Sequence, residues 1–205
     1  GETPQKFSYL PFAEEISHLA KHSLEKKYPI GITVDSADLD RIGEVSRLFS
    51  EDVLLLNIDH HSTNDQYGKV NLVRVDACST AEVVYDLMQY IGLEFDREIA
   101  KCIYTGMLTD TGGFRYSNTT SEAMNKVSVF LQQGISASEI AEQCLEKLSM
   151  AHLYVLKEAL STLDVDAEGS IASLEVSKNL MEKAGASHAD LDGIVNYARN
   201  IEGVE

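Results

Sequence analysis

The chain is poor in positive charge. Its 205 residues carry 17 Lys and Arg against 33 Asp and Glu, a formal charge of −16. Sequence-independent binding to a duplex depends on cations that neutralise phosphates, so this balance excludes a protein that coats double-stranded nucleic acid. Anionic membrane surfaces are disfavoured for the same reason. Long apolar runs are also lacking. Segments such as Val53-Leu54-Leu55-Leu56 fall far short of the roughly 20 residues a membrane span needs. Cysteine is scarce: Cys78, Cys102 and Cys144 are odd in number, widely spaced and form no Cys-x-x-Cys pair. They read as buried thiols of a reducing cytosol. There is no internal repeat or low-complexity tract, and no basic-then-apolar stretch opens the chain. A cytoplasmic location is the expectation.

What is present suits a globular protein. Hydrophobic content of 44% and charged content of 24% are ordinary. Apolar spacing predicts a helix over 11–27, with Pro11 in its first turn and Ile16, Leu19, Ala20 and Leu24 on one face. Buried strands are expected at 30–34 and 53–58, a short helix at 39–49 between them, and a third strand at 70–75. A capping box, Ser79-Thr80-Ala81-Glu82, opens a helix with Val84, Leu87, Met88 and Ile91 on its apolar face. Further helices are expected at 96–108, from the Thr119–Glu122 box to Gly134, from Ser136 onward, and at 150–162. Alternating strands and helices mean an α/β fold: a Rossmann-like parallel sheet with helices on both faces. The texture changes near residue 163. A strand at 170–177, helices at 178–184 and 187–199, and a strand starting at 203 read as the beginning of a smaller α+β domain. The expected organisation is a first domain over 1–146, a helical linker over 147–165 and a partial second domain over 166–205.

Two strands end in acids. Asp35 closes the first, and Asp59-His60-His61 closes the second. Ligands of open parallel sheets gather outside the carboxyl ends of the strands, so these residues should lie side by side. An acid after a strand is commonly a turn or cap residue, but a turn gains nothing structural from two imidazoles. A third cluster, Thr109-Asp110-Thr111-Gly112-Gly113-Phe114-Arg115-Tyr116, ends an apolar helix and holds glycines that let backbone approach a ligand. Carboxylates with an imidazole suit Mn²⁺, and also Zn²⁺ or Fe²⁺. A carboxylate shared by two divalent ions is a framework for phosphate-ester hydrolysis. Arg115 is then the cation for a phosphoryl oxygen.

These residues resemble the DHH phosphoesterases. Asp59-His60-His61 looks like the signature triplet, and the stretches Thr33–Ile42, Asn57–Asn64, Ser79–Tyr85 and Tyr104–Thr120 match in order. The texture is that of the oligoribonuclease/pAp phosphatase group, whose members are often called exopolyphosphatase-related. The tail from Gly193 to Glu205 resembles the start of the DHH-associated C-terminal domain. The resemblance implies a two-Mn²⁺ site, with Mg²⁺ or another divalent ion as substitute. Asp35 would bridge the ions, His60 and Asp110 would complete one of them, and Asp59 would orient the histidines from behind. His61, Arg115 and Asn118 would contact the substrate, and a metal-bound hydroxide would attack phosphorus in line. The implied substrates are small phosphate esters such as pAp, or short single-stranded oligonucleotides of the pApA type. A homodimer is also compatible.

One departure stands out. The family's first motif, His-x-x-x-x-Asp-x-Asp in outline, should precede Asp35, and residues 1–34 do not contain it. His18 and His22 lie at i, i+4, but no acids stand in the places the motif requires, and they read as surface residues. The glycine-rich, His-containing motif of the C-terminal domain is missing too, and the chain opens Gly1-Glu2 without Met. The expectation is a segment of a longer hydrolase, weak or inactive alone. Rivals are a manganese pyrophosphatase or exopolyphosphatase of the same superfamily, and a non-catalytic nucleotide-binding module. An aspartic protease, suggested by Asp110-Thr111-Gly112, needs two such triplets on an all-β scaffold. Tyr85, Tyr90 and Tyr104 read as core or rim, and His152 and His188 as solvated helix positions.

Overall fold

The computed structural model describes residues 3–19 and 25–204. They form two compact units, residues 1–146 and 147–205.

The first unit is built on three parallel strands in spatial order β1-β2-β3: β1 (Tyr28–Val34), β2 (Phe49–Asp59) and β3 (Val70–Val73). Val34 lies opposite Ile58, and Asp59 opposite Val73. The carboxyl ends of the strands are therefore level. The segment Asp40–Leu48 is a 3₁₀ stretch broken at Gly43, not the helix expected over 39–49. Gly43 takes φ 55° and ψ −137°, which a helix cannot accommodate.

Four helices follow: α1 (Thr80–Tyr90), α2 (Arg97–Asp110), α3 (Ser121–Gln132) and the short α4 (Ala137–Ala141). Each starts on a polar cap. Ser79, Asp96, Thr120 and Ser136 accept hydrogen bonds from the amides three residues on. The α3 cap is Thr120, one residue later than the pattern suggested. Helix α1 lies on the sheet through Val83, Val84 and Leu87, which pack with Ile58, Leu72 and Ala77. The larger core lies among α1, α2 and α3, where Tyr85, Phe95 and Phe130 meet edge to face. Tyr85 and Tyr104 are buried in that core, whereas Tyr90 is exposed.

Two expectations for this unit change. The strand over 30–34 is not fully buried: Ile30, Ile32 and Val34 on one face of β1 are 61%, 61% and 55% exposed. β1 is an edge strand, and α1 covers that sheet face only beside β2 and β3. The helix over 11–27 is replaced, where described, by a 3₁₀ turn at Ala13–Glu15. Phe12 is left-handed, and Ile16 is extended and exposed, with no core for an apolar stripe to face. Ala20, His22 and Leu24 lie outside the described residues.

A half-buried cation fixes the start of α1. Lys126 Nζ lies 2.7 Å from Glu82, 2.8 Å from Asp86 and 3.3 Å from Glu122. These carboxylates could be mistaken for a metal cluster, but the ammonium already occupies their centre. Glu82 Oε2 accepts the Cys78 N–H at 2.7 Å instead of closing the capping box on Ser79. Burial raises the Glu82 pKa, and the hydrogen bonds from Lys126 and Cys78 outweigh it, leaving the carboxyl below its usual range.

In the second unit, α5 (Met150–Leu160) packs Val155, Leu156 and Ala159 against Ile194 of α7 (Ile194–Arg199). The stretch expected as a linker therefore supplies this core. The expected strand over 170–177 reduces to a two-residue antiparallel pairing of β4 (Asp164–Val165) with β5 (Ala172–Ser173). Helix α6 (Lys178–Ala184) forms as expected. The helix expected over 187–199 is divided by Gly193, at φ 80°, into a 3₁₀ turn and α7. His152 is buried rather than solvated, with Nδ1 2.9 Å from the Asp190 carbonyl. Val204 closes a turn onto Ile201 rather than starting a strand.

Replacing one partner of the buried ion pair strands the other. Lys126→Met is expected to cost about 3–5 kcal/mol in urea unfolding. A carboxyl with a depressed folded pKa stabilises above its unfolded pKa and loses that contribution as pH falls. The urea midpoint should therefore drop on acidification below about pH 4.3, and more gently in Glu82→Gln.

Candidate metal centre

The level ends of β1 and β2 bring the acids together. Asp35 follows β1 directly, and its amide donates to the Ile58 carbonyl of β2 at 3.0 Å. Its φ of 57° lies in the left-handed region, which Asp tolerates better than most residues. Asp59 is the last residue of β2, and His60 and His61 follow it at the carboxyl end of this central strand. Asp110 is the last residue of α2.

His60 is the meeting point. Its Nε2 lies 3.8 Å from Asp35 Oδ1 and 3.8 Å from Asp110 Oδ2. Its Nδ1 lies 3.3 Å from the Ala77 carbonyl. A carbonyl only accepts, so the proton of the neutral ring belongs on Nδ1, and the Nε2 lone pair faces two carboxylates. The neighbouring His61 is held by Asp59, with Nδ1 2.7 Å from Oδ1. Asp59 is fully buried and also accepts from the His60 amide at 2.7 Å and Asn64 Nδ2 at 2.6 Å. Burial pushes its pKa up, but the bonds from His61, Asn64 and the two histidine amides together hold it below the ordinary range. Thr80 Oγ1, at the start of α1, donates to Asp35 Oδ1 at 2.7 Å.

The arrangement has an excess of negative charge. Among the described residues, no Lys or Arg forms an ion pair with Asp35, Asp59 or Asp110; their ion-pair partners are His60 and His61. Asp110 also stands at the C-terminal, negative end of the α2 dipole. Its pKa is raised by burial and then by the Asp35 charge, with the histidines offsetting part of this. Carboxylates with an unprotonated imidazole nitrogen are a fitting donor set for a divalent cation of the Mn²⁺ or Zn²⁺ kind, and Asp110 adjoins the group at His60. Donor atoms of Asp35, His60 and His61 lie within 4.8 Å of one another.

Arg115 and Asn118 occupy the turn after Asp110. Gly112, Gly113 and Phe114 are all left-handed, at φ 58°, 76° and 60°. A Cβ on Gly112 would come within 2.3 Å of the Tyr116 ring, so only glycine fits under that ring. Arg115 is exposed and its Nε donates to the Gly112 carbonyl at 2.6 Å. Asn118 Nδ2 donates to the Cys78 carbonyl at 2.9 Å and the Asp110 carbonyl at 3.2 Å, and its Oδ1 is buried. The substrate contact expected of Asn118 does not fit this geometry, because its polar atoms face protein.

Sequence reasoning missed Thr80, Asn64 and the Ala77 carbonyl. Thr80 and Asn64 lie within stretches already singled out, but as a cap and a motif flank they carried no sign of their partners. Both imidazoles are expected as Nδ1–H tautomers at pH 8, measured by ¹⁵N NMR of the metal-free chain. Asp59→Ala, which removes the acceptor, should abolish the preference at His61 and leave His60 unchanged. Nε2–H tautomers for both rings in the unmodified chain would contradict the geometry.

Comparison with known proteins agrees with this architecture. Residues 7–107 match the DHH family, N-terminal domain, a span that includes Asp35 and the Asp59–His61 triplet and ends just before Asp110. A bifunctional oligoribonuclease and PAP phosphatase NrnA of Thermus thermophilus is 33% identical over 99% of this chain and 59% of its own length. The Bacillus subtilis protein of the same name is 28% identical over 84% of this chain and 55% of its own length. The chain thus spans little more than half of these relatives. The crystal structure of an exopolyphosphatase-related protein from Bacteroides fragilis superposes with a TM-score of 0.88 at 25% identity, covering 98% of this chain and 61% of that one. The order of strands, the Asp-His-His triplet at the end of β2 and this family match lead to one conclusion: residues 7–107 carry the N-terminal domain of the DHH family.

Proposed function

We propose that the protein is a manganese-dependent phosphoesterase that hydrolyses short oligonucleotides of the pApA type or pAp. The observation that carries this reading is His60 Nε2, 3.8 Å from both Asp35 and Asp110 with its lone pair between them. Such a centre lacks only positive charge. The names of the Thermus and Bacillus relatives point to the same substrate class for the whole protein.

In this reading Asp35, His60 and Asp110 would hold the divalent cation. Mn²⁺ there supplies Lewis acidity toward a phosphoryl oxygen and a water acidic enough to ionise near neutral pH. The protein's own groups do the rest. Asp59 keeps a proton on His61 Nδ1, so His61 would meet the scissile phosphate as the doubly protonated ring, its Nε2–H donating to a phosphoryl oxygen. Arg115, exposed on the turn after Asp110, holds a phosphate oxygen by charge. An acidic surface then tolerates an anionic substrate because the metals provide the attraction. Location in the cytoplasm follows from the substrate class proposed.

Calorimetric titration with Mn²⁺ tests the centre. The chain should bind Mn²⁺, and Asp35→Asn, His60→Ala and Asp110→Asn should each weaken binding by at least about tenfold. In the whole protein, Asp110→Ala should lower kcat/KM for pApA and pAp by about a thousandfold or more, roughly 4 kcal/mol of transition-state stabilisation. Unchanged turnover would favour a nucleotide-binding module instead.

A further inference from the structure

One turn contacts two of the proposed ligands and reaches the third through Asn118. The Ala77 carbonyl accepts from His60 Nδ1. Thr80 Oγ1 donates to Asp35. The Cys78 carbonyl accepts from Asn118, whose other amide hydrogen goes to the Asp110 carbonyl. The turn itself is fixed from behind, since the Cys78 N–H is held by Glu82 and Glu82 by Lys126. Asn118 is the only side chain in this set that joins the end of α2 to the turn.

Its orientation follows from chemistry. Both neighbours of Nδ2 are carbonyl oxygens, so the amide must present its NH₂ to them. The opposite rotation would set three oxygens against one another. The present orientation leaves Oδ1 buried with no hydrogen-bond partner in the protein. A buried unpaired acceptor is a cost, and the amide bears it for the sake of the two donations.

We propose that Asn118 is a positioning residue: it clamps the C-terminal end of α2 to the 77–80 turn and so sets the separation of Asp110 from His60 and Asp35 that a divalent cation requires. This rests on the metal reading above. It assigns Asn118 no contact with substrate. It also makes Glu82 and Lys126 remote supports of the same centre.

The test compares Asn118→Asp with Asn118→Ala by Mn²⁺ calorimetry on the folded chain. The aspartate cannot donate to either carbonyl, yet it adds negative charge close to the cation. A ligand or electrostatic neighbour would bind Mn²⁺ more tightly after that change. A positioning donor binds it more weakly, by about tenfold in both variants. Ile140→Val, which disturbs the same unit's core at a buried position, should lower the urea midpoint without changing Mn²⁺ affinity. This separates positioning from general stability. Tighter or unchanged binding in Asn118→Asp overturns the inference while the metal centre stands. No Mn²⁺ binding by the unmodified chain overturns both. If the variants do not fold, the unmodified chain still decides: by NMR, the Asn118 side-chain NH₂ should exchange with water at least about tenfold more slowly than that of exposed Asn200. Equal exchange rates would overturn the clamp.

Discussion

Two carboxylates face the lone pair of one imidazole in this protein. Asp35 and Asp110 both lie 3.8 Å from His60 Nε2, and no Lys or Arg among the described residues pairs with them. Electrostatics alone would drive such groups apart. They stay together because each is held by backbone that the fold has already fixed. The parallel register of β1 and β2 sets Asp35 beside Asp59, and the last turn of α2 delivers Asp110. The repulsion is what a cation relieves, and it is the physical basis of the proposed chemistry.

The supports of this centre are ordinary structural devices put to a second use. Ser79 caps α1 and thereby places Thr80 within hydrogen-bonding distance of Asp35. Glu82, which would normally close a capping box, holds the Cys78 amide instead and is itself held by Lys126. Asp59 ends a strand, but its burial and the five hydrogen bonds its carboxylate accepts make it the orienting partner of His61. Stability and function thus share the same hydrogen bonds. A change that loosens the start of α1 should reach the centre without altering any ligand.

Much of this was legible in the sequence. The β-branched run before Asp35, the apolar run before Asp59 and the Ser-Thr-Ala-Glu start of α1 are local signals, and each formed the element expected. The nearness of Asp35 to Asp59-His60-His61 could be anticipated because strand ends of parallel sheets are level, whereas Asp110, at the end of a helix, was expected beside them only from the family resemblance. What failed was whatever depended on distant packing. Ile16 and Leu19 have helical spacing, but Ile16 finds no core and stays exposed. Ile30, Ile32 and Val34 look buried by composition, yet sit on an edge strand. His152 looks solvated on its helix, yet the Asp190 carbonyl draws it inward. Asn118 looked like a substrate contact because it follows a site motif, and only coordinates reveal its two carbonyl partners.

The central claim is that the residues after β1, after β2 and at the end of α2 form one cation site. Anomalous diffraction from crystals of this chain grown with Mn²⁺ measures it most directly. The account predicts a manganese peak within bonding distance of Asp35, His60 Nε2 and Asp110. A peak at Glu82, Asp86 and Glu122 in place of Lys126, or none between the carboxylates, would contradict it.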